Sequence, residues 1–331
     1  MKIIALYPLL REELNFRFLE ISILSLYRIV DEILIAVDYP NDHLKLNFSF
    51  LKKKKIRVFY LKKKLESNRV TGTPRVELLK MGRKRKGTHF IWLDSDEVFT
   101  YPFLISGRRL ISQMKMGQKI HMHWMSMWKN FRWYRNDKKS VWSNIYKDFI
   151  VCDSPDYKLI TDVLHEPRTQ GPNNKENRIV LPAKKGAVMH LQFVNWNNFK
   201  LKQAWWMCQE IARIGEKSSY INRRYFYAYF ENFSILKKIN KQWIKHIPEK
   251  YVRRLDIDTS SYWKQRFRFF FKKESIHKFE QLNIWHISQL NDLFFEIEGR
   301  RPSLNLMSKL NICLFYILEN FRLIKRNIIN L

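Results

Sequence analysis

Four short apolar runs in the first hundred residues, KIIALY, EILIAV, KIRVFYL and HFIWLD, alternate with segments whose apolar residues recur every three or four positions. This alternation constrains the fold more than any other feature, because short apolar runs suit strands buried on both faces, whereas the three-and-four spacing suits helices. The segment LNFRFLEISILSLYRIV reads as a helix with Phe18, Ile21, Leu24 and Ile29 toward one side. TPRVELLKMGRKRKG reads as a helix opened by Thr73 and Pro74 and closed near Gly87, and NDHLKLNFSFLKK as a short helix. Strands alternating with helices predict an α/β fold, a doubly wound and mostly parallel sheet flanked by helices. Ligands of such sheets collect outside the carboxyl ends of the strands.

Two of the runs lead straight into acid at that end: ILIAV is followed by Asp38, and FIWL by Asp94, Asp96 and Glu97. Acids are scarce here, with 31 Asp and Glu against 61 Lys and Arg, so a cluster of three carboxylates at the edge of a core needs compensation. A structural reading exists for each: Asp38 starts a turn with Pro40 and Asn41, and the later acids cap the next element. The chemical reading is that carboxylates two residues apart on a turning backbone converge on a hard divalent cation, with surrounding Lys and Arg clamping a diphosphate.

The formal charge of +30 favours a polyanionic neighbour, whether nucleic acid, an acidic membrane surface or a phosphorylated substrate, and does not choose among them. With 46% hydrophobic residues, the 331-residue chain can bury a sizeable core. Cys152, Cys208 and Cys313 are odd in number and far apart, so they offer neither a disulfide framework nor a metal-binding pair, and a reducing cytosol is the expected home. MKIIALYPLLREE lacks a small-residue cleavage site and reads as a first strand. No segment approaches the roughly 18 uninterrupted apolar residues of a membrane span.

Further along, VLHEPR carries His165 and Glu166, with Pro167 taking Glu166 out of regular helix, and AVMHLQF ends a strand-like run at His190. The order of these elements, a strand, VDYPND, WLDSDEVF, VLHEPR and AVMHLQF, resembles the family-2 glycosyltransferases with the GT-A fold, and within them the lipopolysaccharide-core and capsule-type branch. The resemblance covers about residues 1 to 215. It implies a GT-A-like catalytic domain there, with a nucleotide-sugar half at about 1–100 and an acceptor half at about 101–215, and a helical, basic and aromatic region at 216–331. It implies an enzyme, a hexosyl- or related transferase that moves a sugar from a nucleoside-diphosphate sugar to a glycan or lipid-linked glycan acceptor with inversion. Asp38 and Asp94 would bind the donor, and Asp96 and His190 a divalent cation, manganese or magnesium. Glu166 would be the general base that takes the acceptor hydroxyl proton. Asp162, Asp153 and Glu97 are rivals for that role.

HMHWMSMWKNFRWYRNDKKSVWSN holds Trp124, Trp128, Trp133, Tyr134 and Trp142, which either line an acceptor cleft or pack as a meander over the sheet edge. His121 and His123 share a strand face without an acid at ligand spacing, which favours a structural role. In the last segment Met307, Leu310, Leu314, Ile317, Phe321, Ile324 and Ile328 recur at three and four residues, with Lys309, Arg322, Lys325 and Arg326 outside that stripe. Such a helix either packs on its own domain or lies on an anionic membrane surface. The expected location is cytoplasmic and, if the helix lies on a membrane, peripheral at its inner face. A metal-dependent nucleic-acid enzyme and a non-catalytic glycan-binding protein are the alternative classes; without a recognisable nucleic-acid-binding motif, no nucleic-acid partner is expected.

Overall fold

β1 (Ile3–Leu9), β2 (Glu32–Val37), β3 (Ile56–Tyr60) and β4 (His89–Trp92) form from the four apolar runs, and β1, β2 and β4 are buried along their whole length. A strand loses water on both sides only when a layer covers each, so alternate residues enter different cores. Ile3, Ala5, Tyr7 and Leu9 pack with Leu19, Ile23 and Leu26 of α1 (Phe18–Leu26). Ile4 and Leu6 pack on the other side with Leu78 and Leu79 of α2 (Gly72–Lys84). These are the two faces of the doubly wound sheet. The structure, a computed structural model, describes residues 1–9, 18–37, 52–61, 72–136, 145–159, 177–229, 236–249 and 260–329. Most of NDHLKLNFSFLKK lies outside them.

The sheet continues with β5 (Glu97–Phe99), β6 (Lys119–Ser126), β8 (Ile145–Cys152), β9 (Arg178–Leu181) and β10 (Val188–His190). Its order is β3-β2-β1-β4-β8-β6-β10-β5, with β9 also beside β6. Among the described strands β1–β2, β1–β4, β2–β3, β6–β9 and β6–β10 pair in parallel, whereas β4–β8, β6–β8 and β5–β10 are antiparallel. The mostly parallel α/β sheet read from the sequence is therefore present. α3 (Tyr101–Ser112) follows β5, and β7 (Trp133–Arg135) pairs with β11 (Leu236–Lys238) as a separate ribbon.

One local detail differs from the sequence reading, and a second, the closing of α2 near Gly87, agrees with it in place. α1 does not bury one side only: Phe18 and Ile21 belong to one core cluster, Leu19, Ile23 and Leu26 to another, Leu24 is only partly buried, and Ile29 lies past the helix end. A helix wedged between two apolar clusters needs apolar residues nearly all round, which erases a one-sided stripe. At the end of α2 the left-handed residue is Lys86, with φ 61°, rather than Gly87. Bonds from Lys86 N–H to the Arg83 carbonyl (2.8 Å) and from Gly87 N–H to the Gly82 carbonyl (2.9 Å) close the helix. Gly87 is required by a close approach instead, since a Cβ there would lie 2.6 Å from the Phe90 ring.

The chain divides into two compact units, residues 1–195 with 234–257, and residues 196–233 with 258–331. The sheet belongs to the first. This division differs from the boundary at about residue 215, because α4 (Trp196–Ile214) buries Leu201, Ala204, Met207 and Cys208 among residues of the second unit. Its partners include Trp263 and Phe267 of α6 (Ser260–Glu274) and Leu290 and Leu293 of α7 (Ser288–Glu298). The second unit also holds α5 (Ser218–Tyr229) and the final α8 (Leu306–Ile329), so the C-terminal region is helical as expected. No helix among the described residues is long and apolar enough to cross a membrane.

Candidate active site at the carboxyl edge of the sheet

Past Trp92 the chain turns through Asp94, Ser95 and Asp96 into β5, closed by a bond from Glu97 N–H to the Asp94 carbonyl (3.1 Å). Glu97 is fully buried beneath this turn and both its oxygens are engaged. Oε2 accepts the Asp94 N–H (2.9 Å) and Oε1 accepts the indole N–H of Trp124 (2.7 Å). The Tyr7 hydroxyl donates to the Asp94 carbonyl (2.9 Å), and the Ser22 hydroxyl to the Glu97 carbonyl. Buried β1, α1 and β6 thus all pin the turn, which explains why its carboxylates tolerate the edge of an apolar core.

β10 brings the second half. In the β5–β10 pair His190 faces Glu97, and on its other side β10 runs along β6 with His190 beside Ser126. Leu191 N–H donates to the Asp96 carbonyl (2.7 Å) and Met127 N–H to the His190 carbonyl (3.0 Å), fixing both backbones. The result places His190 Nε2 3.4 Å from Asp96 Oδ2. The imidazole stacks on Trp124, with centroids 4.0 Å apart and planes at 24°. His190 Nδ1 is buried and has no hydrogen-bond partner among the described residues. The two residues expected from sequence to share a cation therefore stand side by side.

Asp94 lies next to them and is paired by Arg75 Nη2 at 2.9 Å. Arg75 is buried in the first turn of α2, a turn with no acidic residue. A cation at a helix N-terminus opposes the backbone dipole, so its placement there calls for an anionic partner. That opposition is the signal by which sequence reasoning could have found Arg75, which it missed. Lys147 Nζ adds positive charge 3.5 Å from the Trp124 ring centroid.

The other candidates separate. Asp38, Glu166 and Asp162 lie outside the described residues, as does Trp142. Asp153 follows β8, which runs antiparallel to β4, so it stands at the opposite edge of the sheet, where Arg83 holds it bidentately (2.9 and 2.8 Å). Glu97 has no oxygen turned to solvent. Neither is placed to accept a proton from a substrate. Trp124, Trp128 and Tyr134 are buried in the packing, with Trp124 on β6 of the main sheet and Tyr134 on the separate β7–β11 ribbon, while Trp133 is half-buried.

An acid does join the His121 and His123 pair: Asp148 of β8 lies 2.6 Å from His121 Nδ1 and 3.2 Å from Arg178. Tyr146 stacks on both imidazoles, at 5.7 and 5.1 Å, and no cluster of three or more ligating side chains for a metal occurs among the described residues. Burial first, then the charge of Lys237, lowers the His123 pKa to about 4 from 6.5. Because the folded value lies below the unfolded one, the unfolded chain binds more protons between the two. The stability from neutral His123 is full above pH 6.5 and is lost as pH falls toward 4. In urea denaturation at neutral and acid pH, His123→Phe should lessen the acid loss of unfolding free energy by roughly 2–3 kcal/mol. An unchanged pH dependence would show that His123 already protonates freely in the fold.

No protein-family model matches the chain, and no curated protein matches it. Among solved structures, S. aureus TarS 1-349 is similar at 13% identity, covering 91% of this chain and 92% of that one, with a TM-score of 0.39. TarS 1-349 in complex with UDP-GlcNAc is similar at 12% identity, covering 90% and 91%, with a TM-score of 0.32. HddC from Yersinia pseudotuberculosis is similar at 12% identity, covering 58% and 94%, with a TM-score of 0.30. At these TM-scores the likeness assigns no activity, and the fold stands on the chain's own strand order.

Proposed function

We propose that the chain is a metal-dependent glycosyltransferase of GT-A type that takes its sugar from a nucleoside-diphosphate donor and passes it, with inversion, to a glycan or lipid-linked glycan. The observation that carries this reading is the Asp96–His190 pair, 3.4 Å apart at the carboxyl edge of a mostly parallel sheet, beside the buried Arg75–Asp94 pair. A carboxylate and an imidazole at that spacing suit a divalent ion that bonds each at about 2.1 Å, and the mixed donor set suits manganese better than magnesium. Nε2 is the nitrogen that faces Asp96, so an ion held there would leave the proton on the buried Nδ1. Among the described residues two such side chains stand here, which leaves positions for diphosphate oxygens. The bound ion would neutralise charge on the departing diphosphate. Arg75 would add a fixed cation beside it and hold Asp94 in position to accept from a donor hydroxyl, and Asp38 would contribute to the same donor site.

Glu166 remains the proposed base, supported by its place in HEPR within the sequence resemblance. A screen of sugar nucleotides for donor hydrolysis, with manganese present or chelated, tests the class of reaction; turnover of polynucleotides instead would replace it. Glu166→Gln keeps size and hydrogen bonding but cannot accept a proton, so donor affinity should persist while transfer falls by roughly 10²-fold or more. Near-normal transfer in that variant, with Asp162→Asn inactive, moves the role to Asp162.

A further inference from the structure

The apolar stripe of α8 is not covered by its own unit. Met307, Leu310, Leu314, Ile317 and Phe321 are each between 47% and 66% exposed. The helix is held from another side, where Phe315 and Tyr316 meet Phe226 of α5, with centroids 6.0 and 5.0 Å apart. From Met307 to Phe321, the part of the stripe whose side chains are described, a row of large side chains running four turns along one helix is left facing water. Single exposed apolar residues are ordinary, but a contiguous row marks a contact surface.

The surface asks for a partner that is apolar and anionic at once. Within α8, Lys309, Arg322, Lys325 and Arg326 stand against one acid, Glu319, in a chain of formal charge +30. Nucleic acid offers the charge but no apolar layer for Leu, Ile and Phe. A second copy offers the apolar row but brings like charge against like. A bilayer containing anionic lipid offers both, and it receives a convex helix without a matching groove. We propose that the exposed face of α8 docks the protein on the interface of an anionic lipid bilayer. The inference stands on this helix and not on the transfer reaction, so it survives or fails independently of it.

The test is co-sedimentation of the full chain with vesicles of phosphatidylcholine alone and of phosphatidylcholine with phosphatidylglycerol, at low and high salt. Two double variants are compared, Leu314→Glu with Ile317→Glu on the stripe, and Ile105→Glu with Phe269→Glu at exposed positions elsewhere. Binding should require phosphatidylglycerol and weaken with salt. The stripe variant should lose about tenfold or more in partitioning, because it removes buried area and adds repulsion, while the control pair loses far less. Equal thermal melts show that the substitutions spare the fold. No vesicle binding overturns the proposal, as does equal binding by both variants, which would mean bulk charge alone. A wild-type dimer that the stripe variant dissolves, without vesicle binding, assigns the face to a second copy instead.

Discussion

Asp96→Ala is expected to abolish manganese-dependent donor binding, lowering affinity for the productive sugar nucleotide by roughly 10²-fold or more, because removing a hard ligand leaves diphosphate charge uncompensated. The substitution is informative because the backbone survives it. The Asp96 carbonyl, not its side chain, receives the Leu191 N–H, so β5 and β10 stay joined at that point. Calorimetric titration of donor into wild type and variant, each with manganese and with chelator, separates the contributions. The variant should resemble chelated wild type under both conditions. Equal donor affinity in all four titrations would remove the cation from the proposal.

Glu97→Gln should be the most damaging conservative change in the first unit. A carboxylate accepts from two donors at once, and here it does so for the Asp94 amide and the Trp124 indole. Gln accepts with one oxygen only, and its amide group meets the remaining buried N–H with a donor of its own. Leaving one buried donor unpaired costs about 1–3 kcal/mol, and displacing a donor from a charged acceptor pushes toward the upper end. Thermal and urea unfolding should both show this loss, together with weaker donor binding as the Asp94–Asp96 turn and the His190 support on Trp124 loosen. Wild-type stability in the variant would refute the double-acceptor role. Wild-type stability with lost transfer would instead return Glu97 to the list of proton acceptors.

The strands and helices of the sheet were legible because their periods differ, and apolar runs buried on both faces leave few alternatives to a doubly wound layer. The Asp96–His190 pairing is anticipated through the family resemblance rather than from periodicity, and β5 and β10 bring the two side chains together. What escaped were contacts that depend on register between distant strands. Asp148 reaches His121 only because β8 runs antiparallel to β6 with a register shift between Ile120 and His121. For Trp124 the sequence leaves a cleft wall and a packed side chain both open, and nothing local reveals that its indole supports Glu97 from beneath. Arg75 looked like one basic residue among many until α2 placed it over Asp94. The unit boundary was hidden for a related reason: α4 follows the sheet in sequence, yet its apolar face matches helices that come much later.

The pair of short strands β5 and β10, three residues each, has one further consequence. β10 pairs directly with β5, yet β6, β8 and β9 come between them along the chain, so this pairing joins segments about as far apart in sequence as the β1–β4 pairing does. Contacts of that separation carry a large loop-closure cost, and both have to be met before the sheet is complete. During synthesis the first hundred residues, Asp96 among them, emerge well before His190. The Asp96–His190 pair is complete only once the tenth strand lies against the fifth, and the first hundred residues by themselves hold one of its two members.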